Sequence, residues 1–136
     1  MQDPVKYIGC FFDPAELEEK LQALERKPLF RAIPAPHITF VYRPEAIPAE
    51  LFGLPVKVEA VGYGNDGENE ALQVAFAELP EALRPLGDSI PVPHITLSVA
   101  ENGESVNSGF LTFKPIVPFM LTATFGAMHD SGKIQV

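Results

Sequence analysis

Hydrophobic positions along the chain fall into short runs rich in Val, Ile, Tyr and Phe, and such runs are typical of β-strands. The runs expected to form strands are 5–12, 56–63, 71–77 and 119–128, with a short last strand at 133–136. Gly-Asn-Asp-Gly follows the strand at 56–63 and Asp-Ser-Gly follows the strand at 119–128, and both sequences favour tight turns. The pattern therefore predicts a chain built mainly from short strands joined by turns.

Two segments carry the signals of helices. Asp13 is a suitable N-cap, and Pro14 follows it at the first helical position. The leucines that then recur at helical spacing are Leu17, Leu21 and Leu24. A shorter helix is predicted from Pro80 to Leu86, ending near Gly87. Each predicted helix follows a predicted strand, so the chain mixes α and β elements.

An internal repeat sets the expected architecture. Segment 33–39 (IPAPHIT) and segment 90–96 (IPVPHIT) agree at six of seven positions, with an offset of 57 residues. A strand and a helix are predicted before each copy, and a further strand after it. We therefore expect an α+β fold in which duplicated β-α-β-β units form two pseudo-symmetric lobes with a central cleft. The whole chain, 1–136, is predicted to be one domain, with halves of about 1–68 and 69–136.

Each copy of the repeat carries a His-x-Thr motif at the start of a predicted strand. Because successive side chains of a strand alternate between its faces, His37 and Thr39 share one face. By the same alternation, His94, Thr96 and Ser98 share one face of the second strand. Each motif thus presents an imidazole and a hydroxyl on one side, and apolar residues on the other.

Two such motifs across a cleft suit the hydrolysis of a phosphodiester. The reaction needs a base for the attacking water and an acid for the departing oxygen, and histidine can do either near neutral pH. The threonine hydroxyls can donate to the non-bridging oxygens. Ser98 is a further candidate phosphate ligand. We therefore expect His37 and His94 to be catalytic.

No metal ion or cofactor is expected in this reaction. The chain has three histidines and one cysteine, and none of them has the spacing of zinc ligands. Cys10 lies in an apolar strand and is predicted to belong to the core. His129 is expected at the surface, next to a turn. The chain has no glycine-rich phosphate loop of the P-loop or dinucleotide type.

Charge and composition limit the partners. The net charge of −8 argues against a protein that holds a long nucleic-acid tract. Four basic residues and no acidic one lie in 26–44, so an anion site is expected in such acid-poor segments. The apolar runs are too short to cross a membrane, and the first residues lack the pattern of a secretion signal. A cytoplasmic protein with no obligate protein partner is expected.

The paired motifs His37-Ile38-Thr39 and His94-Ile95-Thr96 resemble those of the two-histidine (2H) phosphoesterase superfamily. That superfamily includes 2′-5′ RNA ligase-like proteins, RNA 2′,3′-cyclic phosphodiesterases and enzymes that cleave 2′-5′-oligoadenylate. The resemblance implies that the two histidines are the acid–base pair and the two threonines the phosphate ligands.

Members of this superfamily often add aromatic residues that stack on a base and a basic residue near the phosphate. By resemblance, Tyr7, Phe11 and Arg43 are candidates for these roles. Tyr42 is a further candidate, although alternation along the strand turns it away from His37 unless the strand bulges.

The leading hypothesis is the hydrolysis of a 2′,3′-cyclic phosphate on an RNA terminus or a small nucleotide. Cleavage of 2′-5′-oligoadenylate is a related alternative. A catalytically silent RNA- or nucleotide-binding module and a structural interaction domain with buried histidines are alternatives of other classes. The sequence leaves open which histidine is the acid and which the base.

Overall fold

The computed structural model describes residues 3–23, 36–65, 69–99 and 112–136. The strands in these ranges are β1 (Val5–Phe12), β2 (His37–Tyr42), β3 (Pro55–Asn65), β4 (Asn69–Glu78), β5 (His94–Val99), β6 (Lys114–His129) and β7 (Ile134–Gln135). The helices are α1 (Pro14–Ala23) and α2 (Arg84–Asp88), with 3-10 turns at Ala49–Leu51 and Glu81–Leu83. Neither helix in these ranges has the length and apolar character needed to span a membrane.

The predicted order of strands and helices is confirmed. β1 has the predicted bounds, and the backbone N–H of Ala15 donates to Oδ1 of Asp13 (3.0 Å) at the start of α1. The predicted Leu24 and the predicted turn after Asn65 lie outside the described residues. The turn after β6 is present, and Gly132 adopts a positive φ of 92° there, which favours glycine.

Two elements, β6 and the second helix, depart furthest from their predicted bounds. β6 begins at Lys114 rather than at 119, although Pro115 and Pro118 lack a backbone donor. The first part of β6 pairs with β3 on one side only, because β1 pairs with β6 only from Ala123 onward. The nitrogen of each proline can therefore face the unpaired side of the strand, where no backbone donor is needed. The second helix is α-helical only from Arg84, because Pro85 suits a helix start better than a helix interior.

All the described strands belong to one antiparallel sheet. Its order is β2-β1-β6-β3-β4-β5, and β7 pairs with the end of β6. β2 and β5 are therefore the two ends of the strand order. Their Cα atoms come within 8 Å of each other, so the sheet nearly closes on itself.

The apolar core lies on the inner side of this curved sheet. The ring of Phe40 on β2 packs 5.8 Å from those of Phe76 on β4 and Phe125 on β6, although neither strand is hydrogen-bonded to β2. Leu17 of α1 and Leu83 of the second 3-10 turn join the same cluster. The fold is thus a mixed α and β structure around one core. The predicted division into two lobes with a cleft between them is not confirmed.

Candidate active site

The first motif lies on β2, and its register is set by β1. His37 is paired with Phe11, and Thr39 is paired with Gly9. The intervening Ile38 is buried in the core, which turns the imidazole and the hydroxyl to the other face of the sheet. His37 is partly buried and Thr39 is exposed.

The second motif lies on β5 in the corresponding register against β4. His94 is paired with Gln73, and Thr96 is paired with Ala71. Ile95 is fully buried in the core, as Ile38 is in the first motif. His94 is partly buried, whereas Thr96 is buried. The structure therefore carries both His-x-Thr motifs on the two strands at which the sheet nearly closes.

Aromatic rings hold the imidazole of His37. The ring of Tyr7 is stacked on it with centroids 4.6 Å apart, and the ring of Phe11 lies 6.0 Å away. Tyr7, Gly9 and Phe11 alternate onto one face of β1, and a Cβ at Gly9 would collide with the backbone oxygen of Ile38, so glycine allows β1 and β2 to approach closely here. Burial raises the pKa of Tyr7 to about 12, so its hydroxyl stays protonated at neutral pH.

This geometry bears on the predicted base-stacking role of Tyr7 and Phe11. Both rings are buried, each with 8% of its surface exposed. Tyr7 already stacks on His37 within the protein. In this structure the two rings pack beside the catalytic candidate and do not offer an open platform for a nucleobase.

A backbone carbonyl orients the imidazole of His94. Its Nδ1 lies 2.9 Å from the carbonyl oxygen of Val92. A carbonyl only accepts hydrogen bonds, so Nδ1 carries the proton and Nε2 is the nitrogen left for chemistry. The intervening Pro93 accepts a hydrogen bond from the backbone N–H of Val74 (3.1 Å), which anchors the start of β5 to β4.

A β-bulge changes the face of Ser98. Thr96 is paired with Ala71 and Ser98 with Glu70, while Leu97 between them has no paired residue. Glu70 and Ala71 are neighbours in β4, so their side chains lie on opposite faces of the sheet. Ser98 is paired with Glu70 and therefore lies on the same face as Glu70. Ser98 therefore does not share the face of His94, contrary to strict alternation.

Ser98 belongs to a buried polar cluster. Its hydroxyl donates to Oε1 of Glu70 (2.8 Å), and the Tyr63 hydroxyl donates to Oε2 (2.5 Å). Both Ser98 and Glu70 are buried almost completely. Hydrogen bonds from hydroxyl groups stabilise a buried carboxyl group. The position of Ser98 is therefore explained by its role in burying Glu70.

Arg43 is held far from His37. The whole length of β2, roughly 20 Å of extended chain, separates the two residues. The guanidinium makes two contacts to the Asp130 carboxylate, Nη1 to Oδ2 at 2.9 Å and Nη2 to Oδ1 at 2.7 Å. These hydrogen bonds lower the pKa of Asp130 and raise the pKa of Arg43. The structure does not bring Arg43 to the His37 motif.

His129 occupies a different part of the molecule, at the end of β6. Its Nδ1 lies 2.7 Å from the Asp3 carbonyl oxygen, and its Nε2 lies 2.9 Å from Oε1 of Gln135. The hydrogen bond to the Asp3 carbonyl and the one to Gln135 raise the pKa of His129. These contacts tie the chain start to the β6–β7 hairpin.

Other reactive groups do not form a site in the described ranges. Burial raises the pKa of Cys10 to about 12, so a thiolate nucleophile is disfavoured at neutral pH. Within residues 3–23, 36–65, 69–99 and 112–136, no group of three or more His, Cys, Asp or Glu side chains could hold a metal ion. No protein-family model matches the chain, and no curated protein matches it.

Two groups beside His94 could not be identified from the sequence, namely Gln73 and the carbonyl of Val92. Gln73 lies in a strand that was predicted without a register, so nothing in the sequence alone paired it with His94. The carbonyl of Val92 is a backbone group two residues before the histidine. Only the register of the sheet shows that Gln73 occupies the position beside His94 that Phe11 occupies beside His37.

Proposed function

We propose that this protein is a metal-independent phosphodiesterase that hydrolyses a 2′,3′-cyclic phosphate on an RNA 3′ end or a small nucleotide. His37 and His94 are the acid–base pair, and Thr39 and Thr96 bind the phosphate. The observation that carries the proposal is the position of the two motifs. They occupy the two strands that approach each other where the sheet nearly closes, in corresponding registers.

The strand order supports the duplication within this proposal. Exchanging β1 with β4, β2 with β5 and β3 with β6 leaves the order β2-β1-β6-β3-β4-β5 unchanged when it is read from the other end. Both motif strands also have a bulge after the threonine, because Phe40 and Leu97 alike lack a paired residue. We infer two β-α-β-β units related by a pseudo-twofold axis, with the substrate across the gap between β2 and β5.

The chemistry assigned to the pair follows from the properties of imidazole. One neutral imidazole takes a proton from the attacking water, which forms the new P–O bond. The other, protonated imidazole gives its proton to the ribose oxygen as the P–O bond of the ring breaks. The hydroxyls of Thr39 and Thr96 donate to the non-bridging oxygens, where charge builds in the transition state.

The surroundings of the two histidines support these roles. The carbonyl of Val92 leaves Nε2 of His94 for proton transfer, and the stacked Tyr7 ring limits the orientations of His37. Fixed imidazoles need less reorganisation when the substrate binds, which favours catalysis.

The direct test is an assay of the purified chain on uridine 2′,3′-cyclic phosphate in the presence of EDTA. We expect a nucleoside monophosphate as product, with a rate that EDTA does not change. The rate is expected to be bell-shaped between about pH 5 and pH 9, because one imidazole must be neutral and the other charged. A linear 3′-5′ and a 2′-5′ diadenylate serve as comparison substrates. Loss of activity in EDTA, or a flat pH profile, would overturn the mechanism.

A further inference from the structure

His129 connects three parts of the chain at the end of β6. Its Nδ1 lies 2.7 Å from the carbonyl oxygen of Asp3, which precedes β1, and its Nε2 lies 2.9 Å from Oε1 of Gln135 in β7. Only 14% of the side-chain surface of His129 is exposed, so water has limited access to the ring nitrogens. The imidazole therefore lies between two hydrogen-bond acceptors that belong to the protein.

Two acceptors favour the protonated form of this imidazole. A neutral imidazole has one N–H donor and one lone pair, whereas the charged form has an N–H on both nitrogens. A carbonyl oxygen accepts hydrogen bonds and cannot donate one, so a neutral His129 satisfies only one of the two contacts as they stand. The charged form donates to Asp3 and to Gln135 at the same time.

The charges around His129 act in opposite directions. Oδ2 of Asp3 lies 3.9 Å from Nδ1 and favours the charged imidazole, whereas Lys133, just before β7, disfavours it. Asp130, the next residue in the chain, is neutralised by its ion pair with Arg43, which follows β2. The hydrogen bond to the Asp3 carbonyl is the largest of the causes that raise the pKa of His129.

Neighbouring contacts fasten the same segment to the turn after β6. The backbone N–H of Asp130 donates to the carbonyl of Pro4 (2.9 Å). The backbone N–H and the hydroxyl of Ser131 both donate to the Asp3 carboxylate (3.0 Å and 2.6 Å). Loss of the proton from His129 therefore removes one donor from a group of contacts that acts together.

We infer that the contacts of His129 with Asp3 and Gln135 form a pH-sensitive latch, which ties the segment before β1 to β6 and β7 when the imidazole is charged and loosens when it is neutral. The native state holds this proton more tightly than the unfolded chain does. The stabilisation is therefore fully present below the ordinary histidine pKa of about 6.5, and it is lost as the pH rises through the native pKa.

The latch is separate from the proposed active site. Val5, which is paired with His129, lies at the start of β1, whereas Phe11, which is paired with His37, lies near the end of that strand. Opening of the latch is therefore expected to be visible in the segment before β1 and in the turn after β6.

Hydrogen exchange of the backbone amides of Asp130 and Ser131 tests the latch. Protection factors, which are corrected for the intrinsic effect of pH on exchange, are compared at about pH 5 and about pH 8.5. In the wild type we expect the protection of both amides to fall roughly fivefold between these values, the effect of losing one hydrogen bond. In His129→Ala the two amides should already be less protected at the lower pH, without a further fall.

Two more variants and a direct titration complete the test. His94→Ala is the matched control, because it removes a histidine outside the latch, and it should keep the wild-type fall in protection. Gln135→Leu removes the acceptor at Nε2 and should lower the pKa of His129. An NMR titration of the His129 ring in the wild type should give a pKa above about 6.5, and this measurement does not depend on the folding of any variant.

Each measurement can contradict the latch. A wild-type pKa of His129 at or below about 6.5, or one that Gln135→Leu leaves unchanged, would show that the two acceptors do not hold the charged form. Equal protection of Asp130 and Ser131 at both pH values would show that nothing opens. A fall of the wild-type size in His129→Ala, or its loss in His94→Ala, would assign the effect to another group.

Discussion

Replacing either motif histidine with alanine is expected to remove almost all hydrolysis of uridine 2′,3′-cyclic phosphate. kcat/KM should fall by roughly 10²- to 10⁴-fold in His37→Ala and in His94→Ala, the range that a general acid or base contributes. The physical reason is that a positioned imidazole is then missing, either to accept a proton from the attacking water or to donate one to the departing ribose oxygen. The measurement is a steady-state assay of each variant at saturating and at limiting substrate.

His129→Ala is the matched control for the two motif histidines. His129 lies at the other end of the chain, bound to Asp3 and Gln135, and the variant is expected to keep the wild-type rate. The variant that combines His37→Ala with His94→Ala should be little worse than either single variant, because residues acting as a unit are not additive. Wild-type activity in His37→Ala or His94→Ala would contradict the acid–base pairing.

Phe125→Ala is expected to lower the free energy of unfolding by about 3–5 kcal/mol, because it leaves a large cavity in the core. Phe125 is fully buried at the centre of the sheet, with the rings of Phe40 and Phe52 each 5.8 Å away. Urea denaturation of wild type and variant measures the difference. If Phe125→Ala does not fold, Phe125→Leu should still show a smaller loss of the same sign.

Val117→Ala is the control for this prediction within the same strand. Val117 has 77% of its surface exposed, so its truncation should change the free energy of unfolding by about 0.5 kcal/mol or less. An equal effect of Val117→Ala and Phe125→Ala would mean that the inner face of the sheet is not the core. That result would also undermine the assignment of the motifs to the opposite face.

Local pattern was sufficient to predict the strands and the first helix. The run at 5–12 forms β1 with the expected bounds, and the cap at Asp13 starts α1 where expected. Both motifs begin strands, β2 and β5, because apolar and polar residues alternate through them. These features depend on residues close together in the chain, which a sequence displays directly.

Contacts between distant residues could not be predicted in the same way. The bulge that takes Ser98 off the face of His94 depends on the pairing of β5 with β4. The ion pair between Arg43 and Asp130 joins residues that are 87 positions apart in the sequence. Tyr7 reaches His37 only because β1 and β2 are neighbours in the sheet. Strand order and register determine these contacts, and the local pattern of residues specifies neither of them.

The decisive experiment for the pairing of the two motifs is a crystal structure of the protein with bound inorganic phosphate. We expect one phosphate in the gap between β2 and β5, with Nε2 of His94 and a ring nitrogen of His37 both within hydrogen-bond distance of its oxygens. The hydroxyls of Thr39 and Thr96 should contact the same ion. If the two imidazoles face separate surfaces, or cannot reach one ion together, His37 and His94 are not an acid–base pair.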